Sequence, residues 1–316
     1  MRYFIVILSL IAMVIGACAG YQSQEPARVV SVGPKESVSA IEESYGLKRK
    51  VAIGRFTNDS RVATSFLNEG SNGPEKLSRA ANDILSAKLA KTNKFLLIER
   101  NDQLAISNEQ SISNITTYQI PADYLILGSI SEFGRSTSGN VGLIDRTKMQ
   151  TAYAKVTIRI VDTRTGLVIF GEEGSGDASI ETGTVLGMGS SAGYDDSLTD
   201  KAIDAAINSV INSLINKLSN DPWRSYILTI EDAKVYISGG ALQGIKAGDQ
   251  FTVYKRGSVV INPQTNTPIE LPGSKVARIA VEQVIAGTEL TEMSIAKIIE
   301  GELSGPDFSA YYISDK

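Results

Sequence analysis

The amino-acid sequence predicts a layered α/β domain with a mixed β-sheet packed by helices, followed by a small all-β domain of the SH3-like barrel type. Up to residue 218, short apolar runs alternate with two long segments of helical period. The triplet Asn220-Asp221-Pro222 then marks a boundary, because a proline just beyond a helix stops it. From Trp223 onward, glycine and proline turns separate short strands, which is typical of a small closed barrel.

The first elements alternate between strand and helix. Residues 50–56 form a β-type run that ends in turn-forming residues, and residues 95–98 form a second short strand. Between them, Pro74 is well placed as an early helical residue, and apolar side chains follow at helical spacing as far as Leu89. Residues 122–131 are almost continuously apolar, which is typical of a strand buried on both faces.

The remaining elements complete the order β-α-β-α-β-β-β-α. A second short helix is expected near residues 101–106. Residues 152–161 and 167–173 are predicted to form a hairpin, and a long amphipathic helix is predicted from about Ser197 to Leu218. This order indicates a layered domain with a mixed sheet.

Domain boundaries follow from these elements. We predict the α/β domain over residues 48–220, the barrel domain over 223–302 and a C-terminal tail over 303–316. At roughly 75 residues the barrel domain is close to the lower size at which a domain folds alone. Its clearest strands are residues 226–230, 234–237, 250–254 and 275–284.

The N-terminus has the parts of a secretory signal peptide over residues 1–17, with a charged Arg2, a short apolar run and small residues. Ile15-Gly16-Ala17-Cys18 resembles the lipobox of bacterial lipoproteins, which implies cleavage before Cys18 and a diacylglycerol on its thiol. The polar residues 18–47 would then tether the body to a membrane. The alternative is an ordinary signal peptide with an inert buried thiol. No other stretch approaches a membrane-spanning helix.

Composition lowers the expectation of an enzyme. The chain has no histidine, so Ser-His-Asp, Cys-His and His-based zinc chemistry are excluded. Removing Arg2 from the 31 basic residues leaves 30 against 35 acidic ones, a formal balance of −5, which favours no nucleic-acid partner. Cys18 is the only cysteine, so no internal disulfide forms. We predict no catalytic residues, no metal and no cofactor.

The α/β domain resembles the CsgG/HfaB-like family of curli-secretion outer-membrane lipoproteins. The stretches that carry the resemblance are 51–60, 80–100, 122–130 and 161–166, together with the lipobox upstream. The resemblance implies a periplasmic domain that assembles into a homo-oligomeric ring, with the body beside the outer membrane. Ala19 agrees with outer-membrane placement. After residue 222, the segments 235–240 and 244–251 resemble the C-terminal barrel of the flagellar assembly protein FlgT.

The family resemblance also implies two insertions that supply β-hairpins to a shared membrane barrel, at residues 134–153 and 174–195. The residues proposed for these membrane hairpins are Val141, Leu143, Tyr153, Ile180, Leu186 and Met188. Membrane strands need about 9–11 residues with apolar alternation and aromatic girdles, and aromatic residues are sparse here. Flexible periplasmic loops are therefore the alternative.

Residues 60–73 occupy the place of the loop that narrows the pore in the curli channel. By position, Phe66 and Asn68 are the candidate pore-constriction residues, and an ordinary surface loop is the alternative. Two functions remain open. The first is a lipid-anchored ring that exports or assembles a surface polymer, with an exported protein or cell-envelope component as its partner. The second is a non-pore adaptor similar to LpoB-like activators of peptidoglycan synthesis.

Overall fold

The computed structural model describes residues 29–30, 46–60, 73–113, 120–141, 145–185, 197–264, 266, 268–288, 291–303 and 307–315. Two sheets organise these residues, and a small two-stranded hairpin extends the second. Within the described ranges, no helix combines the length and the apolar character that crossing a bilayer requires. The elements appear in the predicted order, which confirms a mixed α/β fold with a helix-packed sheet.

The first sheet has six strands in the order β1-β6-β5-β4-β2-β3. β2 runs parallel to both β3 and β4, whereas β4, β5 and β6 form an antiparallel meander. The strands are β1 (Val29–Val30), β2 (Arg49–Asn58), β3 (Phe95–Ile98), β4 (Tyr124–Val141), β5 (Asp145–Asp162) and β6 (Val168–Val185). Among the described strands, β3 is the free edge on one side.

Two long helices, α1 (Gly73–Thr92) and α3 (Ser197–Asn220), cover one face of this sheet. Both have an acid in the first turn and a lysine in the last, which complements the helix dipole. Alternate residues of β5 face them and are fully buried from Ala152 to Ile160. The third helix, α2 (Gln103–Ile112), contrasts with them because it buries none of its residues.

Strands β5 and β6 are longer than predicted. The expected hairpin of 152–161 and 167–173 is only the half of β5 and β6 that lies next to their connecting turn. It belongs to a meander in which β4, β5 and β6 each have 18 residues. Past a register shift between Ile130 and Glu132 of β4, pairing continues to Val141↔Arg146 and Asp145↔Val185. The regions 134–153 and 174–195 therefore begin as continuations of core strands. The sequence does not reveal these strand extensions, because their residues are mostly polar and show only a weak alternation of apolar and polar side chains.

The second sheet has seven strands in the order β7-β15-β10-β13-β14-β9-β8 and is nearly closed into a barrel. Its two ends, β7 and β8, are separated only by Tyr226 in the chain, and the Ser238 amide donates to the Tyr226 carbonyl at 3.0 Å. The strands are β7 (Arg224–Ser225), β8 (Ile227–Glu231), β9 (Lys234–Ser238), β10 (Gln250–Lys255), β13 (Ser274–Ile285), β14 (Met293–Gly301) and β15 (Tyr311–Ser314).

The C-terminal residues join this barrel. The sequence predicts a tail after residue 302, whereas Tyr311–Ser314 form β15, which pairs with β10 and β7. Ile313 is fully buried, and Tyr312 stacks on Tyr254 with ring centroids 5.2 Å apart. A strand of only four residues that follows a polar connection gives little periodic signal, so the pattern did not reveal it. The SH3-like type and the FlgT resemblance stay predictions.

Arg49 links the two domains. Its side chain is 7% exposed, its Nε donates to the Asp221 carbonyl at 2.9 Å, and its guanidinium lies 3.6 Å from the Asp315 carboxylate. The Trp223 amide also donates to Asp315 at 2.9 Å. The start of β2, the residue that follows α3 and Asp315 near the end of the barrel domain therefore meet at one buried cation.

Candidate functional site

The candidate functional site is the end of the β4–β6 meander where β4 ends and β5 begins. It lies within the two insertions, 134–153 and 174–195, that the sequence predicted. We call residues 136–141, 145–151 and 179–185 the ribbon. Below it, α3 packs so closely on β6 that a Cβ at Gly176 would lie 2.3 Å from the Ala206 nitrogen. Thr199, in the first turn of α3, accepts a hydrogen bond from the Arg135 guanidinium at 2.8 Å. The ribbon starts near the end of this helix cover, where Gln150 is still buried and Lys148 and Met149 are exposed.

The two fully described hairpin residues lie on opposite faces of the sheet. Tyr153 is 37% exposed and pairs with Asp177. Ile180 pairs with the buried Gln150 and packs against the core of the α/β domain. Because neighbouring positions along a strand alternate between faces, Tyr153 and Ile180 do not share one surface. Val141 ends β4 opposite Arg146.

The other predicted site residues lie outside the described residues. They are the lipobox Ile15, Gly16 and Ala17, the lipidation site Cys18, the loop residues Phe66 and Asn68, and the hairpin residues Leu143, Leu186 and Met188.

Charges lie across the face of the meander that carries Tyr153. Lys155 Nζ lies 2.9 Å from Glu173 and 3.6 Å from Glu132, so one cation joins three adjacent strands. The hydrogen bond that Lys155 donates to Glu173, together with the negative charge of Glu173, raises the pKa of Lys155. On the helix face, Arg135 lies over the buried Phe133 ring at 5.5 Å. Phe133 therefore belongs to the core and is not available to an aromatic girdle.

Both edges of the ribbon lack a continuous partner among the described strands. On the β4 side, pairing with β2 stops at Asn58↔Ile130. On the β6 side, only the short β1 is paired, at Val29↔Ile180 and Val30↔Ser179. Unpaired strand edges present rows of N–H and C=O groups to any further strand.

The described residues offer little for catalysis. No group of three or more acidic, cysteine or histidine side chains among them could hold a metal ion. Burial raises the pKa of Asp123, although the Lys50 amide donates to it at 3.1 Å. Beside it, burial raises the pKa of Tyr124 to about 12. Tyr124 is in the hydrophobic core, so these groups have a structural role.

One further feature went unrecognised in the sequence. A cavity of about 780 Å³ lies between β3 and α2 and is lined by apolar side chains and three cations, Lys48, Lys50 and Arg100. The only sequence signal was the apolar content of α2, in which Leu104, Ile106 and Ile112 lie within a largely polar stretch.

Comparison with known proteins decides the family. Residues 36–248, more than half of the chain, match the family described as curli production assembly/transport component CsgG. The chain belongs to the CsgG family. The resemblance found in the sequence is thereby confirmed, and the match continues past residue 220 into the barrel. The CsgG-family chain is also 31% identical over 200 residues to a predicted lipoprotein of Neisseria meningitidis serogroup B, covering 62% of this chain and 85% of that relative.

Solved structures similar to this CsgG-family chain include the PelC dodecamer of Paraburkholderia phytofirmans, at 14% identity and a TM-score of 0.23, covering 58% of this chain and 97% of that one. The C-terminal domain of LpoB from Salmonella enterica is similar at 15% identity and a TM-score of 0.23, covering 42% and 85% respectively. Both TM-scores are low, so no function is transferred from either structure to this chain.

Proposed function

We propose that this CsgG-family chain is a lipid-anchored envelope factor that acts as a homo-oligomeric ring in the export or assembly of a surface polymer, without chemistry of its own. The observation that carries the proposal is the ribbon with two open edges. Beyond Ile130 of β4 and beyond Ile180 of β6, these strand edges have no partner among the described residues, and an unpaired edge can accept a further strand. In a ring of identical copies, each ribbon supplies the strands its neighbour lacks.

The position of β1 supports a membrane-side ribbon. β1 holds the N-terminal segment against β6 at the level of the ribbon. Cys18 precedes Val29 by 11 residues. An extended chain covers at most about 3.6 Å per residue, so the acylated cysteine lies within roughly 40 Å of the ribbon. We infer that the ribbon faces the outer membrane and the barrel faces the periplasm.

The second candidate is a non-pore adaptor of the LpoB-like type, and the sequence of the ribbon favours it. Most ribbon residues are serine, threonine, glycine or charged. At about 3.3 Å per residue the ribbon is roughly 20 Å long, and a membrane strand needs about 9–11 residues with one apolar face. A ring whose ribbons stay on the periplasmic side remains compatible with this composition.

The test measures the mass of the detergent-extracted, full-length protein by light scattering at micromolar concentration. The proposal predicts a ring of fixed stoichiometry, and a monomer contradicts it. A variant in which Gly-Ser turns replace residues 138–148 and 182–190 separates the two candidates. The ring proposal predicts loss of the oligomer, whereas the adaptor predicts unchanged mass and retained binding to an envelope partner.

Lipid anchoring has its own test. Replacing Cys18 by serine is expected to move the protein from the outer-membrane fraction to the soluble periplasmic fraction. Mass spectrometry of the native product should show a diacylglycerol on Cys18. An unmodified thiol would contradict the proposal.

A further inference from the structure

The cavity between β3 and α2 has the shape of a slot for a strand. We call this cavity the slot. It is lined by β3 and the Glu99 that follows it, and by Leu104, Ile106, Ser107 and Gln110 of α2. Successive side chains of a strand point to opposite faces, so a cavity lined by five consecutive residues runs along the backbone edge. β3 is the free edge of the described sheet on this side. The slot is therefore open to strand addition, with α2 as its second wall.

Helix α2 needs a partner. It has ten residues and none is buried, while Leu104 is 82% exposed and Ile112 is 78% exposed. Isolated helices shorter than about 12–15 residues are marginal in water. A segment bound in the slot would cover the apolar side chains of α2 and hold it against β3.

The barrel carries a second unpartnered element, the hairpin β11 (Val259–Ile261) and β12 (Pro268–Glu270), which we call the arm. All six paired residues are exposed. The pairs Val260↔Ile269 and Ile261↔Pro268 place apolar side chains on both faces. Isolated two-stranded hairpins are at best marginally stable in water. Each strand of the arm also has a free outer edge among the described residues.

Slot and arm are complementary. The slot offers a strand edge, apolar walls and the cations Lys48, Lys50 and Arg100, against one acid, Glu99. The arm offers a strand edge with alternating apolar and acidic residues, Ile269-Glu270-Leu271. Glu270 is exposed, and its carboxylate lies 4.0 Å from the Arg256 guanidinium, which is a weak ion pair. It is therefore accessible to a cation that approaches more closely.

Within one molecule the arm points away from the slot. Leu242 lines the slot, and its amide donates to Glu292, next to the Ile285 end of β13. The arm leaves the barrel at the other end of β13, where Lys255 pairs with Ser274. β13 has 12 residues, so these ends lie roughly 35 Å apart. An arm can therefore enter only the slot of another copy.

We propose that the arm of one copy docks in the slot of the next copy by adding a strand to β3. This inference rests on the proposed homo-oligomer and assigns the barrel domain a role in it. Because slot and arm are different surfaces at different ends of the molecule, the contact is head-to-tail. Head-to-tail contacts that close produce rings.

Two matched pairs of variants test the inference in the full-length, detergent-extracted protein. Ser107→Trp fills the slot, and Asn108→Trp places the same bulk on the outer side of α2. Ile269→Glu puts a charge into the docked strand, and Gln264→Glu places the same charge at the tip of the arm. We expect Ser107→Trp and Ile269→Glu to weaken self-association at least ten-fold, and both controls to retain the wild-type mass. Thermal unfolding of each of the four variants checks that the substitution leaves the protein folded.

Cross-linking gives an independent reading. Ser107→Cys and Ile269→Cys are prepared separately, mixed and treated with a short bis-maleimide. Docking predicts a cross-linked dimer in the mixture, little in either protein alone, and none when Asn108→Cys replaces Ser107→Cys. A wild-type ring that persists in both test variants overturns the arm-in-slot contact and leaves the proposed function standing. A monomeric wild type overturns both.

Discussion

At the base of the first sheet, two neighbouring aspartates respond to pH in opposite directions. Burial alone would raise the pKa of Asp162, but the hydrogen bonds and charge of Arg164, 2.7 Å away, outweigh it and lower the pKa. Its charged form therefore stabilises the fold above the ordinary carboxyl range, and this stabilisation is lost as pH falls through the folded pKa. Burial raises the pKa of Asp123, so its charge opposes folding at neutral pH.

We expect Asp162→Asn to lower the free energy of unfolding at pH 7 by about 1–2 kcal/mol, because a hydrogen-bonded ion pair is lost. The difference from wild type should shrink as pH falls below about 4, because the carboxyl of the unfolded chain then binds its proton while the folded Asp162 binds one only at lower pH. Asp123→Asn is the control, since an amide oxygen can still accept from Lys50 without a buried charge. It should equal or exceed the wild type at pH 7. Urea unfolding between pH 3 and pH 7 checks both variants. If the free energy of unfolding lost in Asp162→Asn were the same at every pH, the stabilising role of the ionised Asp162 would be contradicted.

Glu292 is a buried acid that fixes a turn of the barrel. It is 3% exposed, and its carboxylate accepts from the amides of Leu242 at 2.8 Å and Gln243 at 3.1 Å. Glu292→Ala would leave the Leu242 amide unpaired, whereas the Gln243 amide keeps its second acceptor, the Gly240 carbonyl at 3.1 Å. We expect a loss of about 1–3 kcal/mol in chemical denaturation. Glu282→Ala, which removes an exposed ion pair with Lys297, should cost less than about 1 kcal/mol. Similar losses in the two variants would refute this role.

At the scale of elements, the contact between α3 and β6 depends on glycine. A Cβ at Gly174 would lie 2.2 Å from the Ala206 oxygen, so the helix backbone rests directly on the strand. Gly174→Ala should push α3 away from the sheet and cost about 1–3 kcal/mol. Gly171→Ala is the matched control, because a Cβ there meets nothing within 4 Å. Thermal unfolding that shows no difference between the two variants would contradict this packing.

The sequence predicted the elements that have strong periodicity and missed those that depend on tertiary contacts. Helices α1 and α3 were found because apolar side chains recur at helical spacing, and the strand of residues 122–131 was found because it is almost continuously apolar. The length of β4–β6, the strand β15 and the slot were not found. Polar strands such as 136–141 acquire their conformation from hydrogen bonds to neighbouring strands, which leave no hydrophobic pattern. A slot needs β3 and α2 to be placed relative to each other, which periodicity does not determine.

At the scale of the whole molecule, Arg49 couples the two domains. We expect Arg49→Ala to leave the Asp221 carbonyl and the Asp315 carboxylate without their buried cation. Calorimetry should then resolve two unfolding transitions where the wild type shows one, because each domain has its own core. Arg55→Ala, at an exposed position of β2, is the control and should keep a single transition. One transition in Arg49→Ala would show that other contacts suffice.

For the whole molecule, we propose that identical copies of this CsgG-family chain, anchored by lipid, complete one another's ribbon edges, slot and arm. Electron microscopy of the full-length protein in detergent is the direct test. We expect closed rings of uniform diameter, with β4–β6 ribbons at one end and barrel domains joined around the other. A field of single, unassociated particles would contradict it.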